Sequence, residues 1–332
     1  MSADQHLGRR ALDGLRSGAA VLAPMSGVTD VCFRRLAERF GASLVVSEMV
    51  ASRAFAHGAA EASLRAQGAD IAVHAVQLAG CEAYWLGEAA RVAAAHGAAL
   101  IDINMGCPAK SVTGGLAGSA LMRDLDHALR LIDAVVAAVT VPVTLKMRLG
   151  WDDQSRNAPE LARRAEAAGV GLVTVHGRTR QQFYKGAADW DAVAAVRAAT
   201  ALPLVVNGDI VDGASAAAAR AASGADAVMV GRAALGRPWL VGEIAAAQAG
   251  RAWQPPTPAQ KTQAVCEHYE AILDLYGRDT GVRHARKHLS AYAAHARAPE
   301  RLRQALVASA DPAEVLRLVQ QLFDRTQLEL AA

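Results

Sequence analysis

The stretch "PLVVNGDIVDGASAAAARAASGADAVMVG" (203–231) holds two short apolar runs, each closed by a glycine, with an alanine-rich segment between them. Runs of Val, Leu and Met without polar alternation suit strands buried on both faces, as in a parallel sheet. The segment "SAAAARAAS" favours helix, and the glycine that follows it suits a helix C-cap. Strand, helix and strand in about 30 residues make one βαβ unit.

The unit recurs toward the N-terminus. Apolar runs at "VLAPM" (21–25), "LVVSEM" (44–49), "AVQL" (75–78), "LIDINMG" (100–106), "PVTLKMR" (142–148) and "LVTVHG" (172–177) bring the candidate strands to eight. Most are separated by helix-prone segments such as "APELARRAEAAG" (158–169). Eight such units in roughly 230 residues predict a (β/α)8 TIM barrel. The rival, a doubly wound open sheet, lacks a G-x-G-x-x-G turn after the first strand. "RAWQPPTPAQ" (251–260), with prolines at 255, 256 and 258, breaks the alternation and reads as a linker. Beyond it only helix-like segments remain: "TQAVCEHYEAILDLYG" (262–277), "VRHARKHLSAYAAHA" (282–296) and "PAEVLRLVQQLFDR" (312–325). The expected organisation is α/β, a barrel over residues 1–250 followed by a linker and a small all-helical domain over 251–332.

Composition narrows the function. With 52% apolar and 20% charged residues the chain has an ordinary globular balance, enough for one large domain plus a smaller one. No run approaches the eighteen apolar residues of a membrane span, and "MSADQHLGRRALDGLRSG" (1–18) lacks the apolar stretch of a signal peptide, so a cytoplasmic protein without membrane association is expected. Cys32, Cys81, Cys107 and Cys266 are scattered, with no C-x-x-C pair and no metal-like His/Cys spacing, so neither a disulfide framework nor a metal is expected. The formal charge of +3 rules out a basic surface overall, but Arg278 to Arg303 carries seven Lys/Arg against two acids, a local +5 suited to a polyanion.

Barrel chemistry sits at the C-terminal strand ends. The polar residues there are Met25 and Ser26 after the first strand, Glu48, Gln77, Asn104 with Cys107, Lys146 with Arg148, His176 with Arg178, Asn207 with Asp209, and Gly231 with Arg232. Strands seven and eight end in "NGDI" and "VGRAALG", small residues at the usual barrel phosphate site, with Arg232 nearby. Lys146 and Arg148 alternate to one face and point at the barrel centre. An inward lysine has three readings: a Schiff-base nucleophile, a cation beside an anionic ligand, or the partner of a carboxylate such as Glu48. Cys107 sits in a G-C-P turn just past strand four with no histidine beside it in sequence. An ordinary thiol, with a pKa of about 8.5, is mostly protonated near neutrality, which favours a proton donor over a nucleophile.

These residues resemble the tRNA-dihydrouridine synthases, most closely the bacterial B type. The motifs that carry the resemblance are "LAPMSGVTD" (22–30), "SEM" (47–49), "NMGCPAKSVTGGLAGSALMRD" (104–124), "PVTLKMRLGW" (142–151), "VHGRTRQQFYKGAADW" (175–190), "VNGDI" (206–210), "VMVGRAALGRPWL" (228–240) and "YGRDTGVRHARKHLSAY" (276–292). The resemblance implies an FMN-bound barrel that reduces the C5–C6 double bond of a uridine in tRNA, NADPH (or NADH) being the reductant. By the same resemblance, Pro24, Met25 and Ser26 lie against the flavin ring, Gln77 and Lys146 face its pyrimidine edge, and His176 lines the site. Asn207, Gly208, Asp209, Gly231 and Arg232 would hold the ribityl chain and phosphate. Reduced flavin would deliver hydride to uracil C6 and Cys107 would protonate C5 from the other face. Type-level resemblance suggests position 17 of the D-loop. Ser26 stands where many relatives carry Ala, and "KHLSAY" where "KHLGWY" is expected.

On the substrate side, Asn104, Lys110, Arg148, Arg178 and Arg180 are assigned to the extruded uridine, since chemistry on a base requires it out of the stack. In a helical "GVRHARKHL", Arg283, Arg286 and Lys287 share one face toward phosphates while Val282, Ala285 and Leu289 face the core. The expected partners are tRNA and NADPH, and the expected state is a monomer. Two other classes remain open: an FMN barrel acting on a free pyrimidine or similar small molecule, which has no use for the basic tail, and a non-catalytic RNA-binding or regulatory protein, which has none for Cys107, Lys146 and His176. A lysine aldolase is a more distant reading.

Overall fold

The computed structural model describes residues 3–323. Its eight strands are β1 Ala20–Leu22, β2 Leu44–Ala51, β3 Ala75–Ala79, β4 Leu100–Met105, β5 Val143–Arg148, β6 Leu172–His176, β7 Leu204–Asn207 and β8 Ala227–Val230. They pair in parallel in chain order, and β8 closes on β1. Each coincides with one of the runs read from the sequence.

The strands' period of two separates two apolar cores. Outward residues such as Val45, Val76, Ile101, Leu145, Val173, Val206 and Val228 join the surrounding helices in one buried cluster. Inward residues Val21, Leu44, Val46, Ala75, Leu100, Leu172, Val205, Ala227 and Met229 form a second, joined by Leu12 and Leu15. Leu12 belongs to the helix Ala3–Gly14 and Leu15 to the turn after it, so this N-terminal segment stops the lower end of the barrel. The sequence reading assigned no role to that segment. Toward the C-terminal strand ends the inward positions become polar: Glu48, Gln77, Asp102, Asn104, Thr144, Lys146, Arg148, Thr174, His176 and Asn207 are all buried. The lower half of the barrel is therefore a filled apolar plug and the upper half a polar floor.

After the helix Leu240–Gln248, residues 251–257 have no regular structure. The expected linker ran on to 260, but the helix Pro258–Tyr276 starts earlier. Pro258 occupies its first turn, and Thr257 and Gln260 form a reciprocal capping box. The helices Arg278–His295, Glu300–Ala308 and Pro312–Val319 complete the tail; Glu300–Ala308 was not anticipated. Of the expected segment 312–325, positions 324 and 325 lie outside the described residues. Val265, Tyr269, Ile272, Ala285, Leu289 and Tyr292 of the tail share the outer core with Phe33 and Trp239. The helix Pro258–Tyr276 packs on the helix Val31–Arg39, which follows β1. No helix among the described residues is long and apolar enough to cross a membrane.

Candidate active site

Polar side chains are carried inward where the strands end, and their hydrogen bonds fix one another. Asp102 accepts from Gln77 Nε2 at 2.6 Å and from Thr144 Oγ1 at 2.6 Å. Burial pushes its pKa up, while those two donors and nearby Lys146 pull it down. The carboxylate orients the Gln77 amide, whose Oε1 then accepts from Asn104 Nδ2 at 2.7 Å. Asn104 Oδ1 is left to accept from the backbone N–H groups of Gly106 at 3.2 Å and Cys107 at 3.0 Å. A chain of side chains thus runs from Thr144 through Asp102, Gln77 and Asn104 to the turn that carries Cys107. Asp102 was missed in the sequence; its signal was an acid inside the apolar run "LIDIN", two residues before Asn104 and so on the same face.

The Cys107 turn is also held from the far side. Its carbonyl accepts from Ser119 Oγ at 2.9 Å and from the Ser119 N–H at 3.0 Å. Gly118 permits that approach: its φ is +60°, and a Cβ there would lie 2.8 Å from the Cys107 carbonyl oxygen. Gly118→Ala is expected to displace the turn and cost about 1–3 kcal/mol. A thermal melt, with the accessibility of Cys107 to a thiol reagent, checks this; unchanged values for both would refute it.

Lys146 is 9% exposed and donates to Asn207 Oδ1 at 3.2 Å, while Asn207 Nδ2 donates to the Met229 carbonyl at 2.8 Å. Burial first, and Arg148 second, lower the Lys146 pKa to about 8, against the pull of Asp102 and Cys107. Glu48, weighed as its partner, lies elsewhere: it accepts from the Gly27 N–H and stands 3.8 Å from Arg65. Burial, followed by Arg148, Lys146, Arg178 and Arg232, drives the His176 pKa well below its usual value, so the ring is neutral. Its Nδ1 is buried without a hydrogen-bond partner.

Several assigned residues have different surroundings from those expected. Arg178, placed in the sequence reading at the open mouth, is buried, with bonds to Asp209 Oδ2 at 2.6 Å and to the Gly186 carbonyl at 2.6 Å. Asp209 faces Arg178, the Ala188 N–H at 2.7 Å and, at 3.8 Å, Arg232. The Asp209 carboxylate therefore stands between two arginines. Arg232 is exposed and lies over the Tyr184 ring at 4.6 Å, with Arg148 over the same ring at 5.4 Å. Arg148, expected to meet the base, is buried and donates from Nε and Nη1 to the carbonyls of Gly106, Thr179 and Phe183. Tyr184 was not singled out in the sequence.

Pro24 and Met25 are partly exposed and Ser26 exposed, in a turn held by Thr29 Oγ1, which accepts from the Met25 N–H at 2.8 Å. A Cβ on Gly231 would lie 3.9 Å from Met25 Sδ, so the ends of β1 and β8 adjoin. A Cβ on Gly208 would lie 3.2 Å from His176 Nε2. Lys110 is exposed at the start of the loop after Cys107, and Arg180 lies 3.4 Å from Thr113 Oγ1 in that loop. On the tail, Val282, Ala285 and Leu289 are buried, and Arg283, Arg286 and Lys287 lie on the outer face. The Lys287 ammonium donates to the Gly27 carbonyl in the loop after β1. The basic face therefore stands at the same end of the barrel as Cys107.

A family model described as dihydrouridine synthase matches residues 21–327. A relative named "Probable tRNA-dihydrouridine synthase" from Rhodobacter capsulatus is 56% identical over 322 residues, covering 95% of this chain and 98% of its own. One named "tRNA-dihydrouridine synthase B" from Xanthomonas axonopodis pv. citri is 50% identical over 275 residues, covering 82% and 83%. Among solved structures, histamine dehydrogenase from Rhizobium sp. 4-9 superimposes with a TM-score of 0.51 at 12% identity, covering 76% of this chain and 48% of that one. That likeness concerns the fold alone.

Proposed function

This chain belongs to the dihydrouridine synthase family, and we propose that it reduces the C5–C6 double bond of a uridine in the tRNA D-loop, at position 17, with bound FMN and with NADPH as reductant. The observation that carries the reading is the run of bonds from Asp102 through Gln77 and Asn104 to Cys107, with the Lys146 ammonium beside it in one polar floor.

The residues present fit a flavin. Lys146 uses one donor on Asn207, which leaves two for an anionic ring edge, and the buried His176 Nδ1 lacks a partner. Gln77 and Lys146 would face the ring's pyrimidine edge, Pro24, Met25 and Ser26 its flank, and Asn207, Gly208, Gly231 and Arg232 the ribityl phosphate. Bound FMN would supply the electron pair for the double bond. Cys107 holds a proton on Sγ for uracil C5, and its backbone anchors fix where that proton is offered. Asn104, Lys110 and Arg180 would meet the extruded base, and Arg148, Arg178 and Asp209 would shape the loop around them. The tail, residues 251–332, is proposed as the tRNA-binding part, and its basic face beside the mouth favours RNA over a free pyrimidine.

Purified protein is expected to be yellow, and deletion of its gene to remove dihydrouridine from position 17 of tRNA. Colourless protein, or an unchanged dihydrouridine map, would refute the proposal. For the tail, Arg283→Ala/Arg286→Ala is expected to weaken tRNA binding about tenfold at low salt and to reduce the salt slope by about two. Equal affinity of both proteins across the salt series would remove the tail from the interface.

A further inference from the structure

Where the tail meets the barrel, a cluster of largely buried polar side chains is incompletely bonded. Asp30 caps the helix Val31–Arg39: its Oδ1 accepts from the Phe33 N–H at 2.9 Å, which leaves Oδ2 facing the tail. His284 Nε2 stands 3.3 Å from that oxygen, which also accepts from the Tyr276 hydroxyl at 3.4 Å. His288 follows four residues later on the same helical face; it is 1% exposed, and neither of its ring nitrogens has a partner. Buried imidazole nitrogens in native proteins are nearly always bonded, so two orphans on one ring ask for a ligand. One ligand atom from each of Asp30, His284 and His288 lies within 4.8 Å of the others.

We propose that Asp30, His284 and His288 bind one zinc ion that clamps the helix Arg278–His295 onto the barrel. Zinc takes imidazole nitrogen and carboxylate oxygen at about 2.0–2.2 Å in a tetrahedron, whose edges are then about 3.4 Å. The Asp30–His284 separation already meets that value, and the two edges to His288, each within 4.8 Å, close with a shift of that ring. A water, or the Tyr276 phenol, whose oxygen is 3.4 Å from Asp30 Oδ2, takes the fourth position. Tyr276 also stacks on His284 with ring centres 4.2 Å apart and holds that imidazole in place. Among the other charges near the cluster, Glu48 sets one negative charge against those of Arg34, Arg65 and Lys287, which Asp30 itself helps to balance. The sequence expectation of no metal rested on His/Cys spacing; H-x-x-x-H was present, but its carboxylate lies 254 residues away. The ion would tie the loop that bears Met25 and Ser26 to the tail, reinforcing the contact of Lys287 with Gly27.

The test uses full-length, tag-free protein stripped with a chelator and dialysed against buffered zinc. About one retained equivalent per chain is expected, with a rise in melting temperature of about 5 °C at saturation. His284→Ala, at a partly exposed position, and His288→Gln should each lose the equivalent and the rise. Cobalt(II) should give the visible bands of a tetrahedral site without thiolate charge transfer, which sets the site apart from Cys32 and the other thiols. No retained zinc, equal retention by His284→Ala, or a thiolate band would overturn the proposal. If His288→Gln does not fold, His284→Ala alone decides. None of these readouts depends on turnover, so they stand apart from the proposed reaction.

Discussion

Cys107→Ala is expected to keep its flavin and to oxidise NADPH, while dihydrouridine formation on tRNA falls about 10²- to 10⁴-fold, the usual contribution of a positioned general acid. The separation follows from how the residue is held. The Cys107 turn is anchored through its backbone, by Asn104 on one side and Ser119 on the other, so removal of the sulfur leaves every anchor in place. Of the groups proposed to hold the flavin, Gln77 bonds to Asp102 and Asn104 and Lys146 bonds to Asn207, none of them through the thiol. Cys107→Ser tests the chemistry further: the hydroxyl fits the space but surrenders its proton far less readily, so it should resemble alanine. Single-turnover dihydrouridine yield beside NADPH consumption measures both halves. An unchanged yield for Cys107→Ala would remove the acid role.

Lys146→Met is expected to move stability and function in opposite directions. The ammonium is buried, and its pKa falls from 10.5 in the free side chain to about 8 in the fold, with desolvation as the main cause. Because the folded value lies below the unfolded one, the unfolded chain holds this proton more tightly. The resulting penalty, on the order of 3 kcal/mol, is complete below about pH 8 and disappears as pH rises toward 10.5. Methionine has similar length and no charge. The flavin-free variant should therefore melt higher than the parent near neutral pH, by about 2 kcal/mol after the loss of a cation near Asp102, and the difference should shrink in alkali. Flavin retention and turnover should fall, the latter about 10²- to 10³-fold, as when one preorganised donor is removed from a developing anion. A variant that melts lower at neutral pH and keeps its flavin would show Lys146 to be a structural partner of Asp102 and no more.

Most strand positions were legible because a parallel barrel strand must be apolar on both faces, a local property that no partner needs to complete. The inward face of β5 was legible for a similar reason: Lys146 and Arg148 share a side whatever the strand pairs with. The Cys107 turn was visible as a thiol between glycine and proline just past a strand end. What each polar group does with its bonds was not visible. Arg178 and Arg180 look alike in "HGRTR", yet one is buried against Asp209 and the other lies partly exposed beside Thr113.

The sequence by itself determined the barrel, the helical tail, the thiol after β4 and the family, because periodicity and short motifs are properties of neighbouring residues. The tertiary structure alone decided that Asp102 governs the orientation of Gln77 and Asn104, that Asp209 pairs with Arg178, and that Lys287 reaches the Gly27 carbonyl. It alone brought Asp30 to His284 and His288 across 254 and 258 residues. Hydrogen bonds and charge pairs act over a few ångströms of space with no regard to chain separation, and only the closed barrel and the docked tail set those distances.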